Sequence, residues 1–169
     1  MYQEIAEGFP EKDTTDSLLS EMTHPYKYEP ASGITIGTHN GAHFFTIGQR
    51  KGMNVGGHKE PLFVIGTDVE KNIVYVGEGQ NHPGLNRKGL FIRQDEIHWI
   101  RTDLKMEVGE SRDYMVRIRY RQPLQSAQIY NRTNGMYIIF ETAQRGIAPG
   151  QFAAWYDGDE VIGSGVIDR

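Results

Sequence analysis

From Gly33 onward, short apolar runs alternate with turn residues at a spacing too close for helices, and the runs are rich in β-branched and aromatic side chains. His43–Ile47 reads as a strand, followed by the polar loop Gly48-Gln-Arg-Lys-Gly52. Leu62–Asp68 and Ile73–Gly77 read as a hairpin across Val69-Glu-Lys-Asn72, and Leu90–Arg93 with Glu96–Ile100 as a second pair. After the polar stretch Thr102–Glu110 come Asp113–Arg121, Ser126–Tyr130, Met136–Glu141, Phe152–Tyr156 and Val161–Ile167. Thr133-Asn-Gly135 and Tyr156-Asp-Gly-Asp-Glu160 offer Asn-Gly and Asp-Gly, whose tolerance of positive φ suits type I′ hairpin turns. Short strands with turns every 8–12 residues favour a closed barrel, because closure removes exposed edges. The first thirty residues differ: Pro10, Pro25 and Pro30 interrupt them, and only Asp16–Met22 has helical character, with Asp16 or Ser17 as cap. The expected fold is mainly β. An acidic irregular arm (1–30) precedes a central β-rich domain (31–103) and a C-terminal closed antiparallel β-barrel (104–169).

Composition narrows the class. Of 169 residues 38% are apolar and 24% charged, as in a folded domain. No apolar run approaches the ~18 residues of a membrane span, and the first residues carry no signal-peptide pattern, so no membrane role and a cytoplasmic location are expected. There is no cysteine, which excludes disulfides, thiolate metal sites and a cysteine nucleophile from these residues. The net charge of -4 is unevenly spread: residues 1–33 hold seven acids and two bases, whereas 112–132 hold five arginines and one acid. An acidic total therefore says nothing against an anionic partner for the later part of the chain.

Asp113-Tyr-Met-Val-Arg-Ile-Arg-Tyr-Arg121 is the clearest chemical pattern. On one strand, Tyr114, Val116, Ile118 and Tyr120 share a face, and Arg117, Arg119 and Arg121 share the other. Guanidiniums at roughly 6.6 Å intervals form a ridge suited to phosphate oxygens. The competing reading is a solvated face whose arginines pair with carboxylates on neighbouring strands. Tyr120 and Tyr130 could stack on bases or be buried. In Gly48-Gln-Arg-Lys-Gly52-Met-Asn-Val-Gly56-Gly57, flanking glycines let Arg50 and Lys51 approach a polyanion, or make a plain flexible connection. The loop is neither a Walker loop nor a dinucleotide fingerprint. Ala143-Gln-Arg-Gly-Ile-Ala-Pro-Gly-Gln151 would set Arg145 and Gln151 at one rim of the barrel. His39 and His43 have the i,i+4 spacing of a zinc pair, but Gly41 opposes a helix there and no metal site is expected.

In order along the chain, several of these segments resemble the C-terminal half of bacterial tRNA-specific 2-thiouridylases of the MnmA/TrmU type. They are Gly37-Thr-His-Asn-Gly41 running into Phe45-Thr-Ile-Gly-Gln-Arg-Lys-Gly52, Asn72-Ile-Val-Tyr-Val-Gly77 with His82-Pro83, and Ile97-His-Trp99. Then come Arg119-Tyr-Arg-Gln122, Ile147-Ala-Pro-Gly-Gln151, and Tyr156-Asp-Gly158 with Gly163-Ser-Gly165-Val-Ile167. The resemblance implies an enzyme whose N-terminal PP-loop ATPase domain adenylates the wobble uridine of tRNA using ATP and Mg, with two cysteines passing sulfur as a persulfide. A central domain and an elongation-factor-like barrel grip the tRNA. The present residues resemble only the latter two parts and hold neither the Ser-Gly-Gly-x-Asp-Ser loop nor the cysteines, so no cofactor is expected in them and no thiolation by them alone. Matching motifs transfer tRNA contact to Arg119, Tyr120 and Gln151; the same role for Arg117, Arg121, Arg50 and Lys51 is inferred from charge. Expected partners are tRNA, the ATPase domain and a sulfur-relay protein. An alternative makes the barrel a docking module for that domain or for the relay protein; a free-standing hydrolase or metal enzyme is the third reading.

Overall fold

The computed structural model describes residues 8–11 and 13–169, so Glu4, Glu7 and Lys12 of the acidic arm lie outside the described residues. Two compact units divide the chain. One runs Pro25–Asn86; the other joins residues 8–24 to Arg87–Arg169. The division at Asn86 differs from the 103/104 boundary expected from the polar stretch, because the segments on both sides of Gln94 pair with strands of the second unit.

The smaller unit is built on one hairpin, β1 (Leu62–Asp68) and β2 (Ile73–Glu78), paired antiparallel from Leu62↔Glu78 to Asp68↔Ile73. A lone two-stranded hairpin is marginal in water. This one packs Phe63 and Ile65 against Leu85, Tyr28 and Tyr75. Gly66 sits where the Tyr28 ring would come within 2.8 Å of an added Cβ, so any larger residue would push that ring away. The strand expected at His43–Ile47 is absent. Ala42–Phe44 forms a single 3₁₀ turn instead. Further on, Gly48 and Gln49 bond to β1, through Gly48 N–H to the Val64 carbonyl (2.7 Å) and Val64 N–H to the Gln49 carbonyl (2.9 Å).

In the larger unit, helix α1 (Asp16–Thr23) is followed by β3 (Asn86–Arg93), β4 (Ile97–Trp99), β5 (Ser111–Arg117), β6 (Gln125–Arg132), β7 (Gly135–Arg145), β8 (Phe152–Asp157) and β9 (Glu160–Val166). They form one sheet in the order β3-β7-β6-β5-β8-β9-β4. β3 and β4 were expected to pair with each other; they lie at opposite ends of that order, β4 on β9 with Ile97↔Gly165. Two backbone hydrogen bonds, Phe91 N–H to the Arg169 carbonyl (2.8 Å) and Asp168 N–H to the Phe91 carbonyl (2.9 Å), tie the edge strand β3 to the residues that follow β9. The expected closed barrel is thus observed as a curled seven-stranded sheet, a half-barrel whose edge strand β3 meets the tail beyond β9 rather than the other edge strand, β4.

Alternation along the strands builds its core. Leu90 and Ile92 of β3, Ala127 and Ile129 of β6, Met136, Ile138 and Phe140 of β7, and Trp155 and Ile162 point inward and are buried. Their outward neighbours Phe91, Tyr130, Tyr137 and Ile139 are buried too, because Leu19 of α1 packs on them. The continuous apolar run of β7 therefore reflects burial on both faces. The expected irregular arm contains a docked helix, capped by Thr15, whose Oγ1 accepts from Leu18 N–H at 3.4 Å. Arg132 fastens it further, its Nε donating to Asp16 at 2.9 Å. The two hairpin turns differ from type I′. The β6–β7 loop is Thr133-Asn134 with no positive φ, and in the β8–β9 loop only Gly158 has one (+56°).

Candidate nucleic-acid interface

β5 ends at Arg117, so the expected ridge of three arginines on one strand face is not formed. Val116 and Ile118 do point into the core, but the chain then turns through 118–122, and Tyr120 emerges 86% exposed. The cause is a set of local bonds that compete with the strand ladder. Gln122 N–H donates to the Arg119 carbonyl (3.1 Å), and the Gln122 side-chain oxygen accepts from Ile118 N–H (3.1 Å). The Gln122 amide also donates to Gln144 Oε1 on β7 (2.6 Å), fastening the turn to the sheet.

This turn meets the β7–β8 loop. Arg119 Nη2 donates to the Gly146 carbonyl at 2.9 Å, and Gly146 and Gly150 take positive φ (+68° and +82°) that a Cβ would strain. The loop is pinned at its far end by Gly150 N–H to the Ile167 carbonyl (2.8 Å) and Ile167 N–H to the Gln151 carbonyl (2.8 Å). Arg119, Tyr120, Arg121 and Gln151 thus belong to two joined loops at one rim of the barrel, beside Arg117 at the end of β5. The Gln151 side-chain oxygen is buried with no hydrogen-bond partner among the described residues. A buried acceptor left without a donor is costly, and a bound donor would relieve it.

Charge at the rim distinguishes the two readings of the arginines. Elsewhere in the unit Arg93, Arg101, Arg112 and Arg132 each pair with carboxylates, with Arg101 to Asp103 at 2.6 Å and Arg132 to Asp16 at 2.9 Å. Among the described residues, Arg117, Arg119 and Arg121 have no carboxylate at ion-pair distance. Arg119 and Arg121 are exposed. The rim therefore carries cations that the protein itself does not neutralise, which is what a polyanion requires.

Arg50 and Lys51 lie in the smaller unit, in an exposed turn after Gly48 (φ +87°). Arg50 borders a groove of about 610 Å³ with Asn54, His58 and Lys59. Tyr130, offered as a stacking surface, is buried under α1; its hydroxyl bonds the Gln128 side chain, and burial pushes its pKa up to about 12. Sequence reasoning missed Gln122, Gln144 and Tyr156 as supports of the rim, because their roles depend on cross-strand neighbours that no local pattern encodes. Among the described residues no group of three His, Cys, Asp or Glu could hold a metal ion.

Two family models match, each within one compact unit: a tRNA methyl transferase PRC-barrel domain over residues 26–78, and an aminomethyltransferase beta-barrel domain over 90–167. Three curated relatives are each described as tRNA-specific 2-thiouridylase MnmA. That of Christiangramia forsetii is 52% identical over 149 residues, 88% of this chain and 38% of the relative. Flavobacterium johnsoniae gives 51% over 93% of this chain and 40% of the relative, and Halalkalibacterium halodurans 43% over 94% and 42%. The chain spans about two fifths of the length of these relatives.

Proposed function

The chain belongs to the tRNA-specific 2-thiouridylase family MnmA, and from that premise we propose that it supplies tRNA-gripping surface for thiolation of the wobble uridine. One observation carries the reading: a turn pinned on three sides presents unneutralised arginines and an almost fully exposed tyrosine. Holding such groups in place before binding reduces the ordering cost of association. Arg119 and Arg121 meet phosphate oxygens, Tyr120 offers its ring to a base, and Gln151 Oε1 accepts from an RNA N–H or 2′-OH. Arg50 and Lys51 add charge from the smaller unit.

In this reading ATP with Mg and the persulfide sulfur belong to a PP-loop ATPase domain, fed by a sulfur-relay protein, in the cytoplasm. The present residues contain no cysteine to carry sulfur. Incubated with tRNA, ATP and a sulfur donor, the chain alone is expected to form no 2-thiouridine.

The test is tRNA affinity measured across a salt series. Arg119→Ala and Arg121→Ala should each flatten the log–log slope by about 0.7–0.9, the signature of one lost phosphate contact. Slopes unchanged in both variants refute the assignment.

A further inference from the structure

Arg117 shares the charge of its neighbours but is bound differently. Its Nε and Nη2 donate to the Tyr156 hydroxyl at 3.0 and 2.7 Å, and its Nη1 donates to the Tyr120 carbonyl at 3.2 Å. Its guanidinium carbon lies 4.9 Å from the Tyr156 ring centroid and 5.7 Å from that of Tyr120, so both rings also attract it as a cation. Opposite Arg117 on β8 stands Ala154, whose small side chain leaves room for the guanidinium to reach Tyr156 two residues along. The Nε–Nη2 edge, which would grip a phosphate bidentately, is already occupied by a hydroxyl.

We propose that Arg117 is a positioning residue: it clamps the 118–122 turn to Tyr156 of β8 and so holds the Tyr120 ring out for an unpaired nucleobase, rather than contacting phosphate itself. This deepens the tRNA-gripping reading and rests on it for the identity of the ligand. The geometry favours a base because the ring stands 86% exposed beside a cation, and base–aromatic stacking tolerates any sequence. Lysine cannot replace the clamp, since an ammonium lacks the planar fork that spans a hydroxyl and a carbonyl together.

The experiment compares Arg117→Lys, Tyr156→Phe and the double variant in the full 169-residue chain, with an unmodified tRNA transcript bearing a wobble uridine as probe. Arg117→Lys keeps the charge, and Tyr156→Phe alters none. Each is expected to weaken binding roughly two- to tenfold, the cost of ordering a released side chain on binding, with the salt slope unchanged. The double variant should be no weaker than Arg117→Lys alone, because both remove one clamp. Full affinity in Arg117→Lys, or additive losses in the double variant, overturns the proposal. Hydrogen exchange without RNA gives a second readout: both single variants should speed exchange of the Ile118 and Gln122 amides, and unchanged exchange also overturns it. If the unaltered chain binds no tRNA, the reading of function fails, while the exchange result still decides the clamp.

Discussion

Leu19 tests whether the acidic arm is part of the barrel unit. Its side chain is wholly buried among Phe91, Tyr130, Tyr137 and Ile139, on the outward face of β3, β6 and β7. Leu19→Ala removes three carbons, worth about 0.8 kcal/mol each in transfer. A residual cavity between the helix and the sheet adds to that, so the expected loss is about 3 kcal/mol, within the ~2–5 kcal/mol found for buried leucines. Leu18, its neighbour on the solvent side, is 44% exposed, and Leu18→Ala should cost about 0.5 kcal/mol or less. Urea unfolding followed by tryptophan fluorescence is a clean assay, because Trp99 and Trp155 both lie in the larger unit, their rings 5.4 Å apart. Equal midpoints for the two variants would refute the view that α1 completes this unit's core.

Two further outcomes check other parts of the structure. Gly163→Ala places a methyl 2.4 Å from the Trp155 ring and 2.8 Å from the His98 carbonyl, so β9 must shift; a loss of roughly 1–3 kcal/mol with a changed Trp155 emission is expected, and wild-type stability would contradict the packing. Burial holds His82 below the ordinary 6.5, and its Nδ1 accepts from Gly84 N–H at 3.1 Å, a bond that protonation weakens. The unfolded chain therefore takes up this proton first as pH falls, so the β1–β2 unit is stabilised above about pH 6.5 and loses that contribution at lower pH. An NMR titration midpoint for His82 at or above 6.5 would contradict this.

Strand existence was readable where a short apolar run met a clear turn, as at Leu62–Asp68 and Ile73–Glu78. The partners of those strands were not. Leu90–Arg93 and Ile97–Trp99 are adjacent in sequence but bond to β7 and β9, because sheet curling, not proximity along the chain, decides their neighbours. The arginine strand shows how a local rule fails at a rim: alternation held through Arg117, then Gln122 captured the Ile118 N–H and ended the ladder. The turn that replaces the strand face still gathers Arg119, Tyr120 and Arg121 within three residues. What periodicity could not anticipate was that Arg117 would be drawn to Tyr156. The helix at Asp16–Thr23 was visible, but its role was not, since the surface it covers is drawn from β3, β6 and β7, far along the chain.

The smaller unit interrupts the larger one: the chain leaves at residue 24 and re-enters at Arg87. Tyr26 Oη donates to the Asn86 carbonyl at 3.3 Å, so the two ends of this insertion are held side by side when it is folded. As a slack tether of roughly sixty residues, the same segment would impose a closure entropy of about 3–4 kcal/mol on docking α1. Folded, it has already met that cost. The insertion thus works as a buckle, lending the barrel its helix through chain statistics alone, and lengthening its internal loops would leave the buckle's grip unchanged so long as Tyr26 and Asn86 still meet.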